Sequence, residues 1–157
     1  MDFRIPGALK VEHEDLYEEL NRAARTAGKV GDAALLAFKT FQHHIRREEE
    51  FAFPPLGLLG PLASKGVNSE LSRVVSLCDR LREQMPDLIR EHDEMRKALQ
   101  EMNDAAMREE KREYATLAKR LLQHMSMEEQ IFYPAALVAG EYVKSSLYGA
   151  PSVPLPK

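Results

Sequence analysis

Cysteine is nearly absent from this chain. The single Cys78 excludes an internal disulfide framework and fits a reducing compartment. Tryptophan is missing altogether. No apolar run is long enough for a signal peptide or a membrane span, so a cytoplasmic protein with no membrane contact is expected. Basic residues are not in excess: Lys and Arg number 22 against 25 Asp and Glu, for a net charge of -3. That leaves no electrostatic footprint for nucleic acid. No glycine-rich phosphate loop stands out, and no hydroxyl nucleophile with an orienting base. What remains is ordinary: 44% hydrophobic and 30% charged residues over 157 positions, enough for one domain with a full core.

The apolar residues recur at helical spacing. Leu9, His13, Leu16, Leu20, Ala23 and Ala27 alternate steps of four and three, one face of a first helix. Gly28 and Gly31 read as its end, and Asp32 as the N-cap of a second helix. The second stripe is Ala34, Ala37, Phe41, His44, Glu48 and Phe51, stopped by Pro54-Pro55. Residues 51–63 carry no charge and read as a connector. Its leucines either pack over the end of a bundle or form a subunit contact or gate, which leaves a homodimer open.

From Asn68 or Ser69, two interleaved heptad series run through Leu71, Cys78, Met85, His92 and Leu99 and through Val74, Leu81, Leu88, Met95 and Met102. Their phase survives Pro86. The expectation is one long helix bent there, with Pro86 at the start of a new helix as the alternative. A charged, turn-prone stretch follows from Asn103 to Lys111. Tyr114, Leu117, Leu121, His124, Glu128, Ile131, Ala135 and Val138 mark the last inward stripe. The predicted fold is all-α: an antiparallel up-down-up-down four-helix bundle with a long, Pro-kinked third helix. It occupies residues 1–148, and residues 149–157 form a Pro-rich extended tail.

One motif appears twice. His44 to Pro54 and His124 to Pro134 both read His, three residues, Glu-Glu, then a short mostly apolar run into Pro. Residues four apart share a helix face, so His44 points with Glu48 and His124 with Glu128. His13 and His92 also fall on inward stripes, one on each remaining helix. Buried imidazoles and carboxylates need partners, and a transition-metal ion satisfies both. One tetrahedral ion would strand part of the set. Two ions, each with two imidazoles and sharing both carboxylates, use all six. Such ligands favour iron, with manganese or zinc as competitors.

This order and spacing resembles the hemerythrin-like, or HHE cation-binding, domains: His on the first helix, His-x-x-x-Glu on the second, His on the third, His-x-x-x-Glu on the fourth. The resemblance runs from about His13 to Pro134. It implies a non-haem di-iron centre with His13, His44, His92 and His124 as ligands, Glu48 and Glu128 bridging, and an oxo or hydroxo bridge between the irons. The implied partner is a small diatomic ligand such as oxygen or nitric oxide, or peroxide, with an electron donor if the centre turns over. The alternative is an iron or oxygen sensor, or an iron-storage module, without turnover.

One feature departs from the oxygen-carrying members, which have a second His one turn from the first on the third helix. Here Leu88 and Arg96 stand there. The ion short of that ligand is expected to have an open position, or water or a further carboxylate in it. Reaction or sensing is expected over reversible oxygen carriage. Cluster-repair members carry an extra N-terminal cysteine-containing segment. This chain starts almost at its first helix, so repair is not expected.

Other candidates are weaker. Glu49 and Glu129 point about a hundred degrees away from the bridging Glu and suit partners of the ligands better than ligands. Tyr17, one turn beyond His13, could line the site and hydrogen-bond a bound oxygen species. His43 reads as surface, Cys78 as inert, and Met85, Met95, Met102 and Met125 as core filler.

Overall fold

A computed structural model of the chain describes residues 3–149. Among these, every regular element is helical. The main rods are α1 (Gly7–Ala24), α2 (Lys29–Arg47), α4 (Ser72–Arg108), and the pair α5 (Arg112–Met127) and α6 (Tyr133–Tyr148); a short α3 (Leu59–Lys65) lies between α2 and α4. α1 packs on α2 and α5, α2 on α4, and α4 on both α5 and α6. No helix among the described residues is long and apolar enough to cross a membrane. Beyond Gly149, the expected Pro-rich tail lies outside the described residues.

Gly28 and Gly31 have different jobs from those expected. Ala27 lies past the end of α1, and the N-cap of α2 is Gly28, at φ 87°, rather than Asp32. Gly31 sits inside the first turn of α2. A Cβ there would fall 1.6 Å from the carbonyl oxygen of Thr26, so the close pass of the connecting turn against the start of α2 requires glycine.

The apolar connector is itself helical, a 3₁₀ turn at Pro54–Leu58 running into α3. Phe51, Phe53, Leu56, Leu58 and Leu62 are buried, so packing over the bundle end accounts for its composition. α4 runs 37 residues with Pro86 inside it, so Pro86 does not start a new helix. Both heptad series face inward, with only Met85 half-buried. The stretch from Asn103 to Arg108 is helix, because Ala105 and Ala106 are core residues; the turn comes after it, at Glu110 with φ 58°.

Each copy of the repeated motif breaks its α-helix at the same place. A π-helical turn spans Glu48–Ala52, and a second spans Glu128–Phe132. In each, the backbone N–H of the residue five on bonds the glutamate carbonyl: Phe53 to Glu48 at 2.9 Å, and Tyr133 to Glu128. A π-turn admits one extra residue and rotates everything after it by about 100° relative to a continuous α-helix. That overturns the last part of the predicted fourth stripe. Ile131 is 54% and Val138 67% exposed, while Tyr133, Ala136, Ala139, Gly140 and Val143 are buried. Three apolar clusters result. One contains Leu16, Leu20, Phe41, Leu99, Met102 and Leu121; the second contains Leu9, Phe51, Phe53, Leu81, Leu88 and Tyr133; the third contains Leu58, Leu62, Leu71, Val74, Ala139 and Val143.

Candidate metal centre

The buried polar side chains of the described residues are His13, His44, Glu48, His92, His124 and Glu128, each at most 2% exposed. These are the six residues that the sequence pattern singles out. α1 supplies His13, α4 supplies His92, and each motif supplies a His at its helix end and a Glu where its π-turn begins. Burial of this many polar groups is costly unless each finds a partner.

The six converge on two neighbouring positions. His44, Glu48, His92 and Glu128 offer ligand atoms within 4.8 Å of one another, and so do His13, His124 and Glu128. Either group could hold a metal ion. We call these position I and position II. The carboxylates serve both. Glu48 turns Oε1 to His44 Nε2 at 3.1 Å and Oε2 to His13 Nε2 at 3.7 Å. Glu128 turns Oε2 to His92 Nε2 at 3.1 Å and Oε1 to His13 and His124 Nε2 at 3.5 and 2.7 Å. Every inward imidazole atom is Nε2.

The outward Nδ1 atoms explain that uniformity. His44 Nδ1 donates to Glu91 at 2.7 Å, His92 Nδ1 to Glu129 at 2.7 Å, and His13 Nδ1 to Glu49 at 3.1 Å. His124 Nδ1 lies 3.3 Å from Glu12 without hydrogen-bond alignment, so it is the least firmly held. Three of these carboxylates lean on cations: Glu49 on Lys10, Glu91 on Arg47, Glu129 on Arg96. An ionised carboxylate only accepts, so Nδ1 carries the proton and Nε2 is free to ligate. Burial alone would push Glu49 and Glu91 up, but their histidine and cation partners hold both below the usual carboxylate range.

The electrostatics of the cluster call for positive charge at its centre. Burial pushes the imidazoles down, yet the facing carboxylates outweigh it and raise His13 to about 9 and His44 to about 10. His124 is raised too, against burial, chiefly by Glu128. Glu128 is itself driven well below its ordinary range, against burial, by His124, His13 and His92. With no metal bound, protons on Nε2 supply the charge; a metal binds by displacing them. The atoms left without an aligned hydrogen-bond partner among the described residues include His13 Nε2, Glu48 Oε2, His124 Nε2 and Glu128 Oε1, all four aimed into position II. His124 Nε2 and Glu128 Oε1 are within ion-pair reach, but not oriented as donor and acceptor. Orphaned donors and acceptors facing one point are what a cation site looks like without its ion, so the residues fit a metal.

The remaining candidates divide cleanly. Glu49 and Glu129 are partners of His13 and His92, as their angle on the helix predicts. His43 is exposed. Cys78 is buried, its thiol donates to the Ala136 carbonyl, and burial pushes it up to about 11, so it is inert. Met95, Met102 and Met125 are core. Tyr17 packs beside Phe38 and lines a surface cleft of about 260 Å³ with His13 and Glu49. The phenol at the cluster is instead Tyr133, fully buried, whose hydroxyl donates to Glu48 Oε1 and lies 3.4 and 3.5 Å from Nε2 of His44 and His92. Its signal was in plain sight, as the aromatic next to the proline of the second motif. An α-helical period places it off the inward face; only the π-turn brings it in.

A family model described as the Hemerythrin HHE cation binding domain matches residues 5–136. No curated protein and no solved structure matches the chain significantly.

Proposed function

Because the chain belongs to the hemerythrin HHE cation-binding domain family, we propose that it is a non-haem di-iron protein that binds or reacts with oxygen, peroxide or nitric oxide. His44 and His92 hold one ion, His13 and His124 the other, and Glu48 and Glu128 bridge them. The observation that carries this is the division of each carboxylate, with one oxygen facing each pair of imidazoles. Two irons in such a set supply electrons and a vacant position to a small oxidising molecule.

The chain's own residues do the rest. Glu91, Glu129 and Glu49 lock the imidazoles with Nε2 inward, and so fix the ligand directions before any ion arrives. The apolar clusters exclude bulk water, which strengthens each charge interaction within. The net demand for positive charge retains the ions, and Tyr133 holds a proton at its oxygen, on Glu48. We further propose that the rods run up-down-up-down with a bend at Pro86 in α4, as one domain to residue 148.

The test is elemental analysis of untagged protein, followed by peroxide with a reductant. About two irons per chain and an absorption that bleaches and recovers support a reacting centre. Reversible ligation without consumption of peroxide supports the sensor or storage alternative. Protein without metal after reconstitution contradicts both.

A further inference from the structure

The two motif copies differ at one atom that reaches the centre. Phe53 and Tyr133 each stand nine residues after their motif histidine, at the close of matching π-turns. Both are fully buried, and their rings stack on each other with centroids 6.0 Å apart. Each crosses to the other side of the cluster: Tyr133 lies flat against His92, 12° between ring planes, and Phe53 tilts against His13. The pair is related as the motifs are, but only one member has an oxygen.

That oxygen sits among the donors of position I. Metal–nitrogen bonds of about 2.0–2.1 Å put neighbouring ligand atoms roughly 3.0–3.4 Å apart around an ion. The Tyr133 oxygen lies 3.4 Å from His44 Nε2 and 3.5 Å from His92 Nε2, and it bonds Glu48 Oε1. It thus stands at the spacing of a further ligand rather than behind the set. Position II has no counterpart, since Phe53 presents carbon there. The orphaned atoms follow the same division. All four position II donors lack an aligned hydrogen-bond partner among the described residues, whereas three position I donors, His44 Nε2, His92 Nε2 and Glu48 Oε1, have the Tyr133 hydroxyl as theirs.

We propose that Tyr133 makes the two metal positions unequal: its hydroxyl oxygen fills a vertex of position I, so a small exogenous anion binds at position II, between His13 and His124. This rests on the two-ion reading above. It also names what stands in for the histidine that Leu88 and Arg96 cannot supply on α4, and it directs the incoming ligand to the face closed by Phe53.

The test uses cobalt(II), whose visible absorption weakens as its coordination number rises, with azide as the anion. Full-length apo protein is loaded with two equivalents of cobalt and titrated with azide, in the wild type, Tyr133→Phe and Phe53→Tyr. The wild type is expected to take up one azide per two cobalts. Tyr133→Phe opens position I and raises the uptake to two, with a stronger cobalt absorption before azide is added. Phe53→Tyr places an oxygen at position II and abolishes uptake, a second arm that stands if Tyr133→Phe does not fold. Two azides in the wild type, or the same uptake in all three proteins, would overturn the proposal while leaving a two-ion site intact. Failure to bind two cobalts at all would instead overturn the two-ion reading itself.

Discussion

The two motif copies share their histidine, the Glu-Glu pair and the closing proline, and differ at most other positions, as at Arg47 against Met127. Seven residues beyond its histidine, the first copy has Phe51, fully buried, and the second has Ile131, 54% exposed. Nine residues beyond, the first has Phe53 and the second Tyr133, both buried. The first copy runs into a covered apolar cap, the second into a further helix that packs chiefly on α4 among the long rods. The shared His and Glu form the centre; Tyr133 reaches it through its hydroxyl, while Phe51 and Ile131 answer to what each copy packs against. The lesson is that a helix keeps its site by local chemistry and its flanks by tertiary context.

The largest effect is expected within the shared portion. Glu128 faces three imidazoles and Glu48 two. Glu128→Gln should therefore cut bound metal from two per chain to below one, and Glu48→Gln should do the same less completely, by elemental analysis. Glu128→Gln also leaves buried imidazolium unpaired and should cost the apo protein about 3 kcal/mol or more in a denaturant melt. Equal metal content in wild type and both variants would contradict shared bridging.

Truncating the seventh residue separates the copies. Phe51→Ala should cost about 3–5 kcal/mol, since a fully buried ring leaves a cavity. Ile131→Ala should change stability by less than about 0.5 kcal/mol. Similar losses at the two would mean that the π-turn of the second copy does not re-phase the helix.

The carboxylates next to the bridging pair should act through the imidazoles. Glu129→Gln and Glu49→Gln are each expected to weaken metal affinity about 10–100-fold with little change in the apo melt. Competition against a chelator measures this.

The pH dependence has a definite sign. His13 and His44 are raised in the folded protein, to about 9 and about 10, above the unfolded value of 6.5. The stability they contribute is therefore complete below 6.5 and is lost as pH rises through 9 and 10. The apo protein should lose roughly 3 °C or more of melting temperature between pH 7 and 10, and the metal-loaded protein should not. On the acid side the loaded protein should release metal as protons reclaim Nε2. An apo melt that is flat or rising to pH 10 would count against the buried His–Glu arrangement.

How much of this could be read from the sequence follows the range of each interaction. Of the six central residues, His13 and His92 were legible because they interrupt apolar stripes, and the other four because a three-residue gap on a helix fixes two side chains on one face. Glu49 and Glu129 were legible as partners for the same reason. Glu91 was not: it serves His44 from another helix, 47 positions away, and no local period connects them. Gly31 read as a stop because its close approach to the Thr26 carbonyl depends on the conformation of the turn, which a residue type alone does not specify. Tyr133, and the exposure of Ile131 and Val138, were hidden by a single extra residue in a turn. A strict α-helical period cannot register that, although the same break occurs in both copies.

The central claim is that two cations share both carboxylates, and counting ions tests it most directly. Apo protein titrated with iron(II) under anaerobic conditions should bind close to two equivalents per chain, with saturation lost when either Glu48 or Glu128 becomes Gln. Saturation at a single equivalent, unaffected by one of those substitutions, would contradict it.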